Sequence, residues 1–434
     1  MTSELQRSVA AGPLTRFQLA AIAVGIGLNM LDGFDILAMS FAASGVKSAW
    51  HLQDGQLGAL LSAGLVGMGL GSLVLGPAAD RFGRRRVVLL SVALAGVGML
   101  GASLAPGYWE LLSLRVLTGV GIGGTIASVA VVVSEYSPDR WRGTALAAYA
   151  TGYSVGATIG GALTALAIPR YGWRSAFAIG GAMSLALLPL AWRRLPESLD
   201  FLVTRAPPRA LERINALLAA MQRPAVARLP ASAPDDPASA TVRTPFALLL
   251  TGTTLLVWAT FFCTMAGFYF IVSWTPRLLT AAGLSPSQGL TGGVLLNLGG
   301  IVGCGGFALA AMRGEPQRLL FGALLATALL IAAFGLTMTR LEVALVTALL
   351  LGVLSNAAMA GLYAVGPPLY PTVVRATGMG WAIGVGRFGA ILAPLATGAL
   401  LERGWTPAQL YYLYSAPFVL AALALSLIRR APAR

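Results

Sequence analysis

Charge is scarce in this sequence. Of its 434 residues, 11% are Asp, Glu, Lys or Arg, and 57% are hydrophobic. Soluble domains average about 25% charged residues, so a water-exposed globule of this length is excluded. Histidine occurs once, at His51, and cysteine twice, at Cys263 and Cys304 in apolar runs. That inventory builds neither a zinc site nor a disulfide framework, and no metal or cofactor is expected. The single lysine, Lys47, belongs to no phosphate-binding loop, so direct use of ATP is excluded. GVGIGG (Gly119–Gly124) and GVGRFG (Gly384–Gly389) fit a dinucleotide spacing but lie inside apolar runs, with no strand before them. Met1 to Arg16 is polar and lacks a short apolar core with a small-residue cleavage pattern, so no removable signal peptide is expected.

What the chain has instead is long apolar runs and a mean hydropathy of +0.77. Runs long enough to cross a bilayer cover 18–44, 56–79, 87–106, 109–134, 143–167 and 174–195, then 246–273, 288–312, 318–338, 341–364, 376–400 and 407–428. The pattern predicts an all-α integral membrane protein of twelve transmembrane helices in two six-helix halves, 1–195 and 246–434, joined by a polar linker over 196–245. Within the linker, Pro208–Met221 fits a short amphipathic helix, and the Ala/Pro/Ser remainder fits a flexible tether. The balance of 30 Lys+Arg against 16 Asp+Glu would suggest nucleic acid in a soluble chain. Here the excess falls in loops on one side. The opposite loops hold only Lys47, Arg170, Arg174, Arg277, Arg340 and Arg403. The positive-inside rule then places both termini and the linker in the cytoplasm, and no nucleic acid is expected as a partner.

The halves echo each other. EYSPDRWRGT (Glu135–Thr144) follows span 4, and LYPTVVRATG (Leu369–Gly378) follows span 10; each sets Tyr and Pro ahead of an Arg-x-Thr. Equivalent segments in two six-helix halves are what a parallel duplication leaves. The loop after span 2 reads GPAADRFGRRR (Gly76–Arg86). Gly83 permits a tight turn, the arginines hold the loop at the cytoplasmic face, and Asp80 stands where a carboxylate meets a helix N-terminus or a neighbouring arginine. This run resembles the cytoplasmic signature loop of the major facilitator superfamily. The resemblance implies a gating role for Asp80, Arg81, Gly83 and Arg84. The matching loop of the second half, AAMRGEPQR, keeps Arg313, Gly314 and Arg318 but no aspartate, which argues against a symmetric latch.

LDGFDILAMSF (Leu31–Phe41) places Asp32 and Asp35 in the middle of span 1. A carboxylate at the centre of a bilayer helix costs roughly 2.5–3.5 kcal/mol, so two within one turn call for a function. At i and i+3 they share a helix face. Desolvation and mutual repulsion favour the neutral acid, so at least one can bind and release a proton; alternatively arginine holds both ionised and they fix helix packing. Together with SEYSPDRWRGT and YPTVVRATGMGWAIGVGRFGAILAP (Tyr370–Pro394), the Asp-Gly-Phe-Asp signature resembles the aromatic acid:proton symporter family within that superfamily. The resemblance implies import of small aromatic carboxylates such as hydroxybenzoate or benzoate, with protons as co-substrate, and gating networks that include Glu135, Arg142 and Arg375.

Two arginines fall within spans, Arg115 and Arg387. A guanidinium stays charged and grips a carboxylate with two parallel bonds, which suits an anionic substrate. For Arg115 an ion pair with Asp35 or Asp32 is an equal reading. For Arg387 no mid-span acid exists in spans 7–12, which favours substrate. Tyr269 is a stacking candidate in an aromatic span 7, whose Trp274 reads as an interfacial ring near the outer end. Asn297 and Trp381 are further substrate-binding candidates, with Asn356, Tyr149 and Tyr153 behind them. GYSVGATIGG (Gly152–Gly161) lets helices approach closely; it resembles the antiporter signature of span 5 but lacks its proline, which favours symport. The expected protein is therefore a monomeric, proton-coupled secondary carrier of the bacterial inner membrane, not an enzyme. A carrier for another organic anion or a drug:proton antiporter is the alternative, and a membrane enzyme or sensor the alternative outside transport.

Overall fold

A computed structural model describes residue 9 and residues 12–229, 252–370 and 374–428. Among the described residues there are fourteen α-helices and no strand. The first half holds α1 (Arg16–Trp50), α2 (Asp54–Phe82), α3 (Arg84–Leu104), α4 (Tyr108–Glu135), α5 (Asp139–Tyr171) and α6 (Arg174–Arg194). Two short helices follow, α7 (Leu199–Arg205) and α8 (Ala210–Ala220). The second half holds α9 (Gly252–Ala281), α10 (Pro286–Ala311), α11 (Pro316–Thr337), α12 (Leu341–Val365), α13 (Arg375–Glu402) and α14 (Pro407–Leu427). All but α7 and α8 are long and apolar enough to cross a membrane, twelve in all, and the protein is a multi-pass membrane protein.

Helix starts are written in the sequence. Thr15 with Gln18, Gln53 with Gln56, Ser285 with Gln288 and Thr406 with Gln409 form reciprocal capping boxes, two of them followed by proline at the first helical position. Helix ends follow the polar backbone and not the apolar window. Thus α1 runs six residues past the expected edge at 44 and stops at His51, whose φ is 50°. Likewise α9 continues through Pro276 to Ala281. Trp274 consequently sits well before the helix end and is fully buried, not interfacial as the sequence suggested. In the linker, α8 confirms the short helix near 208–221, burying Ile214 and Leu218. The tether over 230–245 lies outside the described residues.

The duplication is visible in which helices pack together. In the first half α2 lies against α4, α1 against α5, and α3 against α4 and α6; in the second α10 lies against α12, α9 against α13, and α11 against α12 and α14. Between halves the main contacts are α2 with α13, α5 with α10, and α1 with α9, with a smaller one between α1 and α10. The hydrogen bonds across this interface cluster towards the Lys47 end. Ser40 Oγ donates to the Ser273 carbonyl (2.6 Å), Ser62 Oγ to that of Ile391 (2.8 Å), and the Gly55 amide to Glu402 Oε1 (2.7 Å). At the Asp80 end no hydrogen bond joins the halves among the described residues.

Candidate functional site

Gly33 explains why two aspartates flank a glycine. A Cβ at Gly33 would collide with the Tyr153 carbonyl of α5, one at Gly156 with the Met30 carbonyl, and one at Gly160 with the Phe34 ring. Small residues let α1 and α5 meet backbone to backbone at this turn, and Asp32 and Asp35 leave it on either side of the contact. Both are buried, at 4% and 1% exposure, and neither Asp32 Oδ2 nor Asp35 Oδ1 accepts a hydrogen bond. Gly33→Ala is expected to destabilise the folded protein by about 1–3 kcal/mol through overpacking, without touching any charge. A thermal challenge followed by size-exclusion chromatography reads this; an unchanged melting midpoint would remove the close-approach argument.

Arg115 turns away from open space. It is 1% exposed and donates from Nη2 to the Asp35 main-chain carbonyl (3.1 Å), with its guanidinium 5.8 Å from the Phe177 ring centroid. Among the described residues no carboxylate oxygen lies within ion-pair distance of it. About 10 Å along α4 from Tyr108, it sits towards the Lys47 end of the span. The surroundings of Arg387 are different. It lies about 18 Å into α13, partly exposed, and reaches across the halves from Nη1 to the Met68 sulfur of α2. Tyr269 of α9 and Tyr363 of α12 are within its electrostatic reach, and Tyr153 of α5 lies near both Tyr269 and Asp32. The carboxylates of α11–α13, Glu315, Glu342 and Glu402, all stand at helix ends. Polar groups in electrostatic reach of one another therefore follow from Asp35 and Asp32 past Tyr153, whose buried hydroxyl has no hydrogen-bond partner, and Tyr269 to Arg387, crossing between the halves.

The Asp80 end carries a second constellation. Arg84 pairs with Glu135, bonds Asp80 Oδ1 at 3.3 Å and lies 4.0 Å from Asp200. Glu135 also accepts from Ser198 Oγ (3.0 Å) and the Leu199 amide (2.9 Å), so it caps the start of α7 and ties that helix to the bundle. Gly83 has φ 103° and a Cβ there would strike Glu197, so glycine alone fits the turn. Arg81 is exposed with its guanidinium by Phe82. Arg142 pairs with Asp139 (2.7 Å) and bonds the Ser137 carbonyl (3.4 Å); Arg375 bonds the Tyr370 carbonyl (3.4 Å). Both reach five residues back, so the duplicated segments share this local geometry.

Residues 22–339 match the Major Facilitator Superfamily. The chain belongs to this superfamily. It is 34% identical over 415 residues to a gallate transporter of Pseudomonas putida, covering 95% of this chain and 92% of that one. It is 33% identical over 426 residues to a 4-hydroxybenzoate transporter of the same organism, covering 97% and 94%. Among solved structures, the inward-open xylose transporter of E. coli superposes with a TM-score of 0.74 at 17% identity, covering 95% of this chain and 96% of that chain, a likeness of fold. The protein is a membrane transporter and not an enzyme.

The other candidates of this transporter separate by what they touch. Trp381 is 45% exposed and stacks on Trp258, ring centroids 5.9 Å apart. Asn297 and Asn356 are buried and donate to Gly293 (2.8 Å) and Gly352 (3.0 Å), each four residues back on its own helix, along the packed α10–α12 pair. Tyr149 is buried, its backbone carbonyl held by Asn29 (2.5 Å). Met68 and Tyr363 were missed from sequence. A thioether carries no pattern, but the single tyrosine of span 10, seven residues after Asn356, was a signal.

Proposed function

We propose that the chain is a proton-coupled symporter importing a small aromatic carboxylate such as a hydroxybenzoate or benzoate. The observation that carries the reading is the mid-depth series of polar groups. Two buried carboxylates with unpartnered oxygens lie at one end, and a guanidinium without a carboxylate partner lies at the other, on opposite halves. The two curated relatives support the substrate class. In this reading Asp32 and Asp35 exchange the proton, Arg387 takes the anion, and Tyr269 and Trp381 offer rings to an aromatic substrate. Arg115 positions Asp35 through its main chain, and Asn297 contributes to helix packing beside the site.

Asp80, Arg81, Gly83, Arg84, Glu135, Arg142 and Arg375 belong to the gate, whose state is set by the ties between α2, α4 and α7. The transporter works as a monomer in the bacterial inner membrane with both termini cytoplasmic. Its units are the halves 1–195 and 246–434, with a cytoplasmic linker over 196–245. The test is proton uptake by proteoliposomes. Addition of an aromatic acid is expected to drive protons inward together with substrate, whereas no proton movement across a panel of such acids would sink the symport reading. A reporter inserted within 230–245 is expected to stand on the cytoplasmic side.

A further inference from the structure

Five arginines converge where the first half leaves the membrane. Arg85 and Arg86 open α3, Arg193 and Arg194 close α6, and Arg213 comes from α8. They line a groove of about 400 Å³, within the roughly 300–1,000 Å³ of ligand pockets. One carboxylate, Glu197, shares it and is already engaged by the backbone amides of Arg85 and Ser198, each at 3.0 Å. Arg85 spends Nη2 on the Trp192 carbonyl, and its buried Nε donates to nothing. Among the described residues, Arg86, Arg193, Arg194 and Arg213 form no ion pair, in contrast to neighbouring Arg84. Concentrating this much unneutralised charge around one hollow is unfavourable unless an anion enters it.

The groove also has an apolar continuation. Arg86 and Leu90 stand one turn apart on one face of α3, as do Arg194 and Leu190 on α6. Leu90 and Leu190 are exposed, and so is Trp192 beside the arginines, where an aromatic ring belongs at a headgroup boundary. Since α3 and α6 pack against each other, Leu90 and Leu190 lie on neighbouring helices, each one turn into the bilayer from an arginine of the basic groove. A free phosphate would use the arginines and leave the leucines idle, whereas a lipid uses both.

We propose that this groove binds the phosphodiester headgroup of an anionic phospholipid, whose acyl chains lie along Leu90 and Leu190. The full-length protein in detergent is titrated with phosphatidylglycerol, phosphatidylcholine and inorganic phosphate, with bound lipid counted by native mass spectrometry. Phosphatidylglycerol is expected to bind at least tenfold more tightly than phosphatidylcholine and to survive phosphate at equal concentration. Arg86→Gln/Arg194→Gln is expected to weaken phosphatidylglycerol roughly thirtyfold, the effect of two arginines at an anionic surface. Should the double variant fail to fold, Arg193→Gln alone is expected to weaken it roughly fivefold. Equal binding of the two lipids, full displacement by phosphate, or unchanged affinity in a folded variant would each overturn the proposal.

Discussion

Asp32→Asn and Asp35→Asn are each expected to abolish uphill accumulation, collapsing the inside-to-outside substrate ratio to one, while at least one of them keeps downhill exchange. The reason is the pair's setting. Both carboxyls are buried and each leaves an oxygen without a hydrogen-bond donor. A buried ionised group in that state is costly unless it is neutralised, by a proton or by a moving charge. Asparagine keeps the shape and removes the proton site, so transport uncouples from the gradient without losing its path. Asp35 needs one control. Its main-chain carbonyl holds Arg115, and its carboxyl interacts electrostatically with that buried guanidinium. Asp35→Asn therefore risks a folding defect, which a second change, Arg115→Gln, is expected to relieve by removing the orphaned charge. Recovery of the folded yield without recovery of accumulation separates coupling from architecture. If both single variants concentrate substrate against a gradient, the pair is structural.

Much of this architecture was legible because a bilayer forces helices. Apolar length and the duplicated Arg-x-Thr segments sufficed for twelve spans in two halves, and the capping pairs at Thr15, Ser285 and Thr406 sharpen where helices begin. The partners of buried charges were less legible. Arg115 read equally as a substrate ligand or as an ion-pair partner of Asp35 or Asp32, whereas its Nη2 bonds a main-chain carbonyl that no sequence pattern announces and its Nε stays unpartnered. The same holds for Glu135. Its charge read as a gate element, yet its geometry depends on Ser198 and Leu199, more than sixty residues away, and on an α7 helix too short to carry a periodic signal. Gly33 lay between these extremes. Its presence between two aspartates was conspicuous, but the reason is the α5 backbone it admits, a tertiary contact visible only once Gly156 and Gly160 stand opposite.

An aromatic acid is expected to compete for transport and its amide analogue is not, and the difference should vanish when Arg387 is replaced by glutamine. Arg387 has no carboxylate partner in its own half, where Glu315, Glu342 and Glu402 are confined to helix ends. It bonds a methionine sulfur and lies within electrostatic reach of Tyr269 and Tyr363, none of which cancels a charge. An entering carboxylate cancels it, and a neutral amide of the same shape leaves the penalty standing. Breaking one side of a hydrogen-bonded charge pair costs about 2–5 kcal/mol, so the acid should outcompete the amide by at least about thirtyfold. Arg387→Lys retains the charge but loses the planar fork, and is expected to weaken the acid with little change in folded yield. Arg387→Gln removes the charge, and there acid and amide are expected to compete alike. Equal competition in the unsubstituted protein would assign Arg387 to the contact with Met68 between α13 and α2, a tie that holds the halves together instead of a seat for the substrate.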